Sequence, residues 1–420
     1  MSTTKKHIFP SLTADGSKEL AIMGNNGRTF TAELEEMEVY GDTRVGWDEN
    51  TPVNETVDAE GNLFPGERGF GVADPTSPKR RVYDDPEVEA LREKLREHNG
   101  IRGLEICEPH ETKKIARIFH RDGFVVVKDL LNAEQLARWR AGCAEALRDI
   151  LSIPGPGDRK YTTETGRLPH RYSYGTSSAS RQMLHHFAWA SMIDLPTTTP
   201  IVKEIFGSSD YRVWGSGGDL CLPGAVEYQH LHSDGRDPQH PTEARIRQAE
   251  RLGIQLHRDE NGNLDVPSQK LVMEMTPPTV TINFIMCDLT WENGPIRQIP
   301  GSHTLQQNPP PPGDEPDWMK HSTLVGGTAG SGVFRDNRAW HGATPNLSRE
   351  IRALPNVEYA APWRSQRGFS RIMPHEIWET LTPHAQKLCE WIKADPGVWP
   401  PGAGIMHPLS SKRAEAAKNS

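Results

Sequence analysis

Three short stretches of this 420-residue chain carry side chains that could share one metal ion. The first is Gln229-His230-Leu231-His232-Ser233-Asp234. The second runs from Asn293-Gly294-Pro295 to Pro300-Gly301-Ser302-His303, and the third joins His341 to Arg352. Residues two apart in an extended segment point to the same side. His232 and Asp234 can therefore meet one metal as a neutral imidazole and a carboxylate, with a distant second histidine completing a two-His, one-carboxylate face. That set suits Fe(II) and leaves three coordination positions open. Arg352 stands eleven residues after His341, and a guanidinium fork grips a carboxylate in two-point fashion. A bidentate 2-oxoglutarate on the iron needs such a cation for its far carboxylate. The chemistry expected is oxygen activation at non-haem iron.

Competing residues have to be weighed. A lone His-x-Asp is weak, and the chain holds a second one, His257-Arg258-Asp259. That copy opens a charged turn with no strand before it, whereas His232 and Asp234 follow an apolar stretch. His303 is read as structural, because a fourth protein ligand would block the positions that oxygen and co-substrate need. Pro345-Asn346-Leu347-Ser348 is turn-forming, so His341 and Arg352 are expected to face each other across a hairpin. Arg349 belongs to that turn and is read as solvated. Taken singly, His341 could equally be a core histidine and Arg352 a surface charge. Their combination with His232 and Asp234 is what favours a site.

The elements that must position these groups are partly visible. Pro86 opens a helix through Leu95, closed by Asn99-Gly100, in keeping with helix punctuation. Phe119–Val127 reads as helix, turn and short buried strand, and Asn132 caps an amphipathic helix through Leu151. Pro154–Ser180 reads as loop. Tyr211–Trp214 and Cys221–Tyr228 read as two strands leading into the His-x-Asp. Thr279–Leu289 alternates, with Val280, Ile282, Phe284 and Met286 on one face and Thr281 and Asn283 on the other. Ser331–Phe334 and Arg352–Tyr359 are further strands, and a helical region broken at Pro383 closes the fold. Within the polar stretch 235–278, Pro241–Leu252 is helical and Asn261-Gly262 a turn. Arg167–Met183 and Phe187–Trp189 are candidate pocket walls, or equally barrel packing.

Composition narrows the classes. With 35% hydrophobic residues, 37 Gly and 34 Pro, the chain is loop-rich and globular. A net charge of -8 without a long basic stripe argues against nucleic-acid binding, and no apolar run is long enough to span a membrane. Five scattered Cys with no Cys-x-x-Cys fit reduced, structural thiols. No apolar signal-like segment follows the first residues, so a cytoplasmic location is expected. Domain expectations are an N-terminal arm and helix over 1–110, a catalytic domain over 111–400 with an insertion at 235–278, and a flexible tail over 401–420. The arm leaves a homodimer open.

Together these motifs resemble the phytanoyl-CoA dioxygenase family of 2-oxoglutarate oxygenases, over roughly Phe119 to Leu388. The likeness rests on Asp122-Gly123-Phe124-Val125-Val126-Val127 with its following helix, on Gln229-x-x-His-x-Asp, on Asn293-Gly294-Pro295 and Pro300–His303, and on His341-Gly342-Ala343-x-Pro345-Asn346 before Arg352. The resemblance implies a mainly β, double-stranded β-helix (jelly-roll) barrel with flanking helices. It implies Fe(II), 2-oxoglutarate and O2 as cofactors, with His232, Asp234 and His341 on iron and Arg352 on 2-oxoglutarate. Gln229 and Asn283 become candidate contacts to the same co-substrate. Some relatives place a hydroxyl two after the second histidine; Ala343 stands there, so Thr344 or a water would substitute. The activity implied is hydroxylation of a small molecule, with desaturation or epoxidation as variants. Relatives that halogenate lack the carboxylate that Asp234 retains. An iron oxidase without 2-oxoglutarate and a non-catalytic jelly-roll binding protein are the remaining alternatives.

Overall fold

The computed structural model describes residues 46–47, 78, 80–97, 104–151, 170–177, 182–235, 241–305, 307–310, 321–364 and 370–397. Most of the expected arm, and the tail, lie outside them. Two sheets form the barrel. The strands of the larger are β1 (Ile106–Cys107), β2 (Phe124–Val127), β3 (Arg171–Ser173), β4 (Arg212–Cys221), β5 (Thr279–Phe284), β8 (Gly332–Asp336) and β10 (Arg352–Ala360). They lie in the order β1-β2-β8-β5-β10-β4-β3. The smaller sheet has β7 (Thr323–Leu324), β6 (Ile296–Gln298) and β9 (His341–Ala343), in that order. This is the double-stranded β-helix that the motifs imply, with long connections carrying the chain from one sheet to the other.

Alternation decides which side of the larger sheet faces helices. Val280, Ile282 and Phe284 are fully buried in the main core, and the Phe284 ring meets Trp139 at 4.9 Å between centroids. Trp139 belongs to α3 (Ala133–Leu151), which follows α1 (Pro86–Glu97) and α2 (Thr112–Asp122). At the start of α3, Asn132 and Gln135 each accept the other's backbone N–H, at 2.8 and 3.0 Å. This reciprocal cap satisfies two otherwise orphaned donors. The short helices α4 (Phe187–Ala190) and α5 (Thr199–Phe206) extend the same layer.

Several expectations needed correction. Tyr211–Trp214 and Cys221–Tyr228 are not two strands. β4 runs unbroken from Arg212 to Cys221 and pairs with β10 along its length. Gly218 lies within this strand at φ +123°, and a Cβ there would lie 2.2 Å from the Leu354 carbonyl oxygen. Glycine admits the neighbouring strand rather than ending its own. Within the expected loop 154–180, Arg171–Ser173 forms β3 on the edge of the sheet. Of the suggested pocket walls, Tyr172, Tyr174 and Trp189 are fully buried, and residues 167–169 and 178–181 lie outside the described residues. His341 and Arg352 do not share a hairpin, because β9 pairs with β6 while β10 pairs with β4 and β5.

The polar stretch after Asp234 holds two helices, α6 (Glu243–Arg251) and α7 (Val266–Met275), with a small core of Ile246, Ala249, Leu264 and Val272. Arg338 ties this pair to the barrel. Its guanidinium donates to the Asp336 carboxylate at 2.7 Å, to the Met273 carbonyl, and to the Glu274 carbonyl at 3.1 Å. The chain end closes with α8 (His375–Glu379) and α9 (Pro383–Cys389).

Candidate metal centre

His341 opens β9, and its backbone exchanges two 2.9 Å hydrogen bonds with His232. That bridge sets the imidazoles side by side, 4.3 Å between centroids. Gly342 makes the approach possible, since a Cβ there would lie 2.5 Å from the Gln229 carbonyl oxygen. A ligand atom from each of His232, Asp234 and His341 lies within 4.8 Å of the other two. His232 Nε2 is 3.6 Å and His341 Nε2 3.5 Å from the Asp234 carboxylate.

The other ring nitrogens fix the tautomers. His232 Nδ1 donates to the His230 carbonyl at 3.0 Å, and His341 Nδ1 to the Ala339 carbonyl at 2.9 Å. Each histidine therefore offers an Nε2 lone pair to the shared space, the arrangement a metal requires. Burial, followed by the nearby Arg335 charge, lowers the His341 pKa to about 3, so its imidazole stays neutral and able to ligate. Burial alone would raise the Asp234 carboxyl. The Arg335 charge, with its hydrogen bond, outweighs it and holds the group well below the usual carboxylate range.

Arg335 was not anticipated. From β8 it donates to Asp234 Oδ2 at 2.7 Å and lies 3.0 Å from His341 Nε2. An arginine in the middle of a buried strand was the available signal, because a charge is retained there only with a partner or a task.

The co-substrate candidates separate clearly. Arg352 is 2% exposed, and its Nε and Nη1 find no hydrogen-bond partner among the described residues. An unpaired buried cation is costly, and a carboxylate would satisfy it. Neighbouring Arg171 is engaged through its Nη2, which donates to the Glu227 and Thr344 carbonyls at 2.9 and 2.7 Å. Both amide atoms of buried Asn283 also lack partners among the described residues. The Gln229 amide oxygen accepts from Ala343 N at 3.2 Å, which aims its NH2 elsewhere as a donor. Thr344 is placed differently from its expected role. Its hydroxyl donates to the Pro295 carbonyl at 2.8 Å, pinning the Asn-Gly-Pro turn.

Two rejected candidates stay apart from the cluster. His303 packs against Gly123, with Nε2 3.2 Å from the His120 carbonyl. Asp259 is committed to a turn, its carboxylate accepting from Asn261 and Asn263 backbone N–H groups at 2.9 and 2.8 Å. Among the described residues no helix is long and apolar enough to cross a membrane, and all five cysteines are free and buried.

Comparison with known proteins agrees with this chemistry. The phytanoyl-CoA dioxygenase (PhyH) family model matches residues 119–354. Dioxygenase andF of Emericella variicolor is 30% identical over 319 residues, covering 73% of this chain and 96% of its own. Dioxygenase trt7 of Aspergillus terreus is 28% identical over 281 residues, covering 66% and 84%. Among solved structures, HygX from Streptomyces hygroscopicus with nickel, 2-oxoglutarate and hygromycin B bound aligns over 62% of this chain and 90% of its own, at 14% identity and a TM-score of 0.40. Family match and relatives place this chain in the phytanoyl-CoA dioxygenase family, as a 2-oxoglutarate-dependent dioxygenase that uses iron and O2.

Proposed function

We propose that the enzyme hydroxylates an unactivated C–H bond of a small organic molecule, with His232, Asp234 and His341 holding Fe(II) and Arg352 holding 2-oxoglutarate. The observation that carries this assignment is the pairing of a His/Asp/His cluster with a buried guanidinium that has no counter-ion among the described residues. When bound, iron and 2-oxoglutarate supply oxygen activation coupled to release of succinate and CO2.

The protein's part is positioning. The His230 and Ala339 carbonyls orient the two imidazoles, and Arg335 steadies one carboxylate oxygen of Asp234 while the other remains to bind metal. Arg352 would anchor the far carboxylate of the co-substrate, with Gln229 and Asn283 donating along its length. Retention of Asp234 leaves no ligand gap for a halide, which favours transfer of oxygen to carbon.

Anaerobic titration with Fe(II) and then 2-oxoglutarate tests the assignment. Wild type should develop a visible charge-transfer band, and His232→Ala should lose it while keeping its near-UV circular dichroism. Well-folded wild type without the band would remove the proposal. With a turned-over substrate, succinate should accompany a product heavier by one oxygen; a product lacking two hydrogens would replace hydroxylation by desaturation.

A further inference from the structure

The inner face of the larger sheet carries two acceptors that the iron chemistry does not use. Along β10, Arg352, Leu354, Asn356 and Glu358 share one side, and register sets Asn356 beside Asn283 and Glu358 beside Thr281. Thr281 in turn pairs with Arg335. Glu358 therefore stands two strands, ~10 Å at ordinary strand spacing, from the arginine that touches the candidate iron ligands.

Neither acceptor has a protein partner among the described residues. The Glu358 carboxylate has no hydrogen bond or ion pair among the described residues, and it is only partly buried. Asn356 is 9% exposed, and its Oδ1 is buried without a partner among the described residues. Orphaned acceptors of this kind carry a desolvation cost that a ligand can relieve.

Space lies beside them. The β4 residues facing Asn356 and Glu358 are Gly217 and Gly215. Among the described residues, a Cβ on Gly217 would meet only the Asn356 amide oxygen, at 3.8 Å. Over Gly215 the Gln182 amide forms an end wall, its oxygen accepting from Ser216 N at 2.7 Å. The result is a glycine-floored slot with two acceptors about 7 Å apart along one strand face.

We infer that this slot binds the hydrogen-bond-donating end of the substrate, an O–H or N–H group received by Glu358 and Asn356, while the target C–H lies toward the iron. The inference rests on the proposed hydroxylase reading. Donor recognition by these acceptors also provides selectivity, because an analogue lacking the donor leaves them unpaired. Burial and then the Asp234 charge push the Glu358 carboxyl up to about 7, against the opposing Arg335 charge. Near neutrality the group can thus receive a hydroxyl or pair with an ammonium.

The test uses the anaerobic enzyme loaded with Fe(II) and 2-oxoglutarate, read by its charge-transfer band. Probes are cis-1,2-cyclohexanediol, its dimethyl ether and cyclohexylamine, and Tm is followed for every variant. The diol or the amine should perturb the wild-type band, with the ether at least about tenfold weaker, the ratio expected from losing one such hydrogen bond. Glu358→Ala and Asn356→Ala should each weaken the donor probe by about tenfold and leave the 2-oxoglutarate titration unchanged. The near-isosteric Glu358→Gln separates the two sources: it should keep diol binding and lose amine binding. Equal binding of diol and ether, absence of any donor-dependent response in wild type, or loss of the 2-oxoglutarate band in Glu358→Gln would each overturn the slot. Absence of the band in wild type would instead remove the underlying hydroxylase reading.

Discussion

The two faces of the larger sheet follow opposite rules. On the helix side Val280, Ile282, Phe284, Phe334 and Val357 are fully buried, and two of the polar groups packed with them find partners. Tyr359 donates to the Ile193 carbonyl at 2.7 Å, and Trp139 to Ser191 Oγ at 2.9 Å. On the barrel side Asn283, Arg335, Arg352 and Asn356 all keep buried polar atoms without partners among the described residues. A single strand such as β5 serves both faces by alternation alone. Stability is concentrated on one side, and affinity is held in reserve on the other.

The scaffold around the helix layer should be most sensitive to acid. His170, His186 and His303 are buried, and burial lowers the pKa of each, to about 3 for His186. In the unfolded chain they take up protons as pH falls below about 6.5. The unfolded state then binds more protons than the native one, so stability falls with falling pH, by about 1.4 kcal/mol per unit for each histidine. For His186 the loss continues down to about 3. Urea midpoints for the metal-free protein should drop steeply between about pH 6.5 and 4.5, and His186→Phe should flatten the slope. A midpoint independent of pH across that window would contradict the assignment of neutral buried histidines.

Next in size is the apolar face itself. Phe284→Ala should cost about 3–5 kcal/mol, because transfer and cavity terms add when a close-packed ring is deleted, and this ring is in edge contact with Trp139. Equilibrium urea denaturation would measure it. A loss below about 1 kcal/mol would mean that this side is not the stabilising one.

The same contrast explains what could be read from the residues. His232 and Asp234 were legible because iron coordination demands particular side chains and their spacing is local, and the distant His341 because its motif is joined to Arg352. The alternation expected over Thr279–Leu289 was legible because one face is apolar and the other polar, although β5 itself ends at Phe284. Helix α7 carried an unused signal, since Asp265 caps it by accepting from Ser268 N at 2.8 Å, with a proline in its first turn. The supposed His341/Arg352 hairpin failed because turn residues report a change of direction, not which sheet the next strand joins. Asn356 and Glu358 were invisible for a similar reason: their role depends on Gly217 and Gly215 lying opposite, and such register is a tertiary fact.

The smallest expected effect on stability is also the one with reversed sign. Arg352→Met keeps the apolar stem and removes a buried charge that has no counter-ion among the described residues. Relief of that desolvation should raise the metal-free stability by about 1 kcal/mol, the opposite of what truncation does on the helix side. Added Fe(II) and 2-oxoglutarate should stabilise wild type by mass action and leave the variant nearly unmoved by 2-oxoglutarate. Denaturation curves for both proteins, with and without the co-substrate, would measure the two changes together. If Arg352→Met destabilises the metal-free protein by 2 kcal/mol or more, roughly what breaking a satisfied buried pair costs, then the guanidinium is part of the scaffold, and the division between the two faces does not hold at β10.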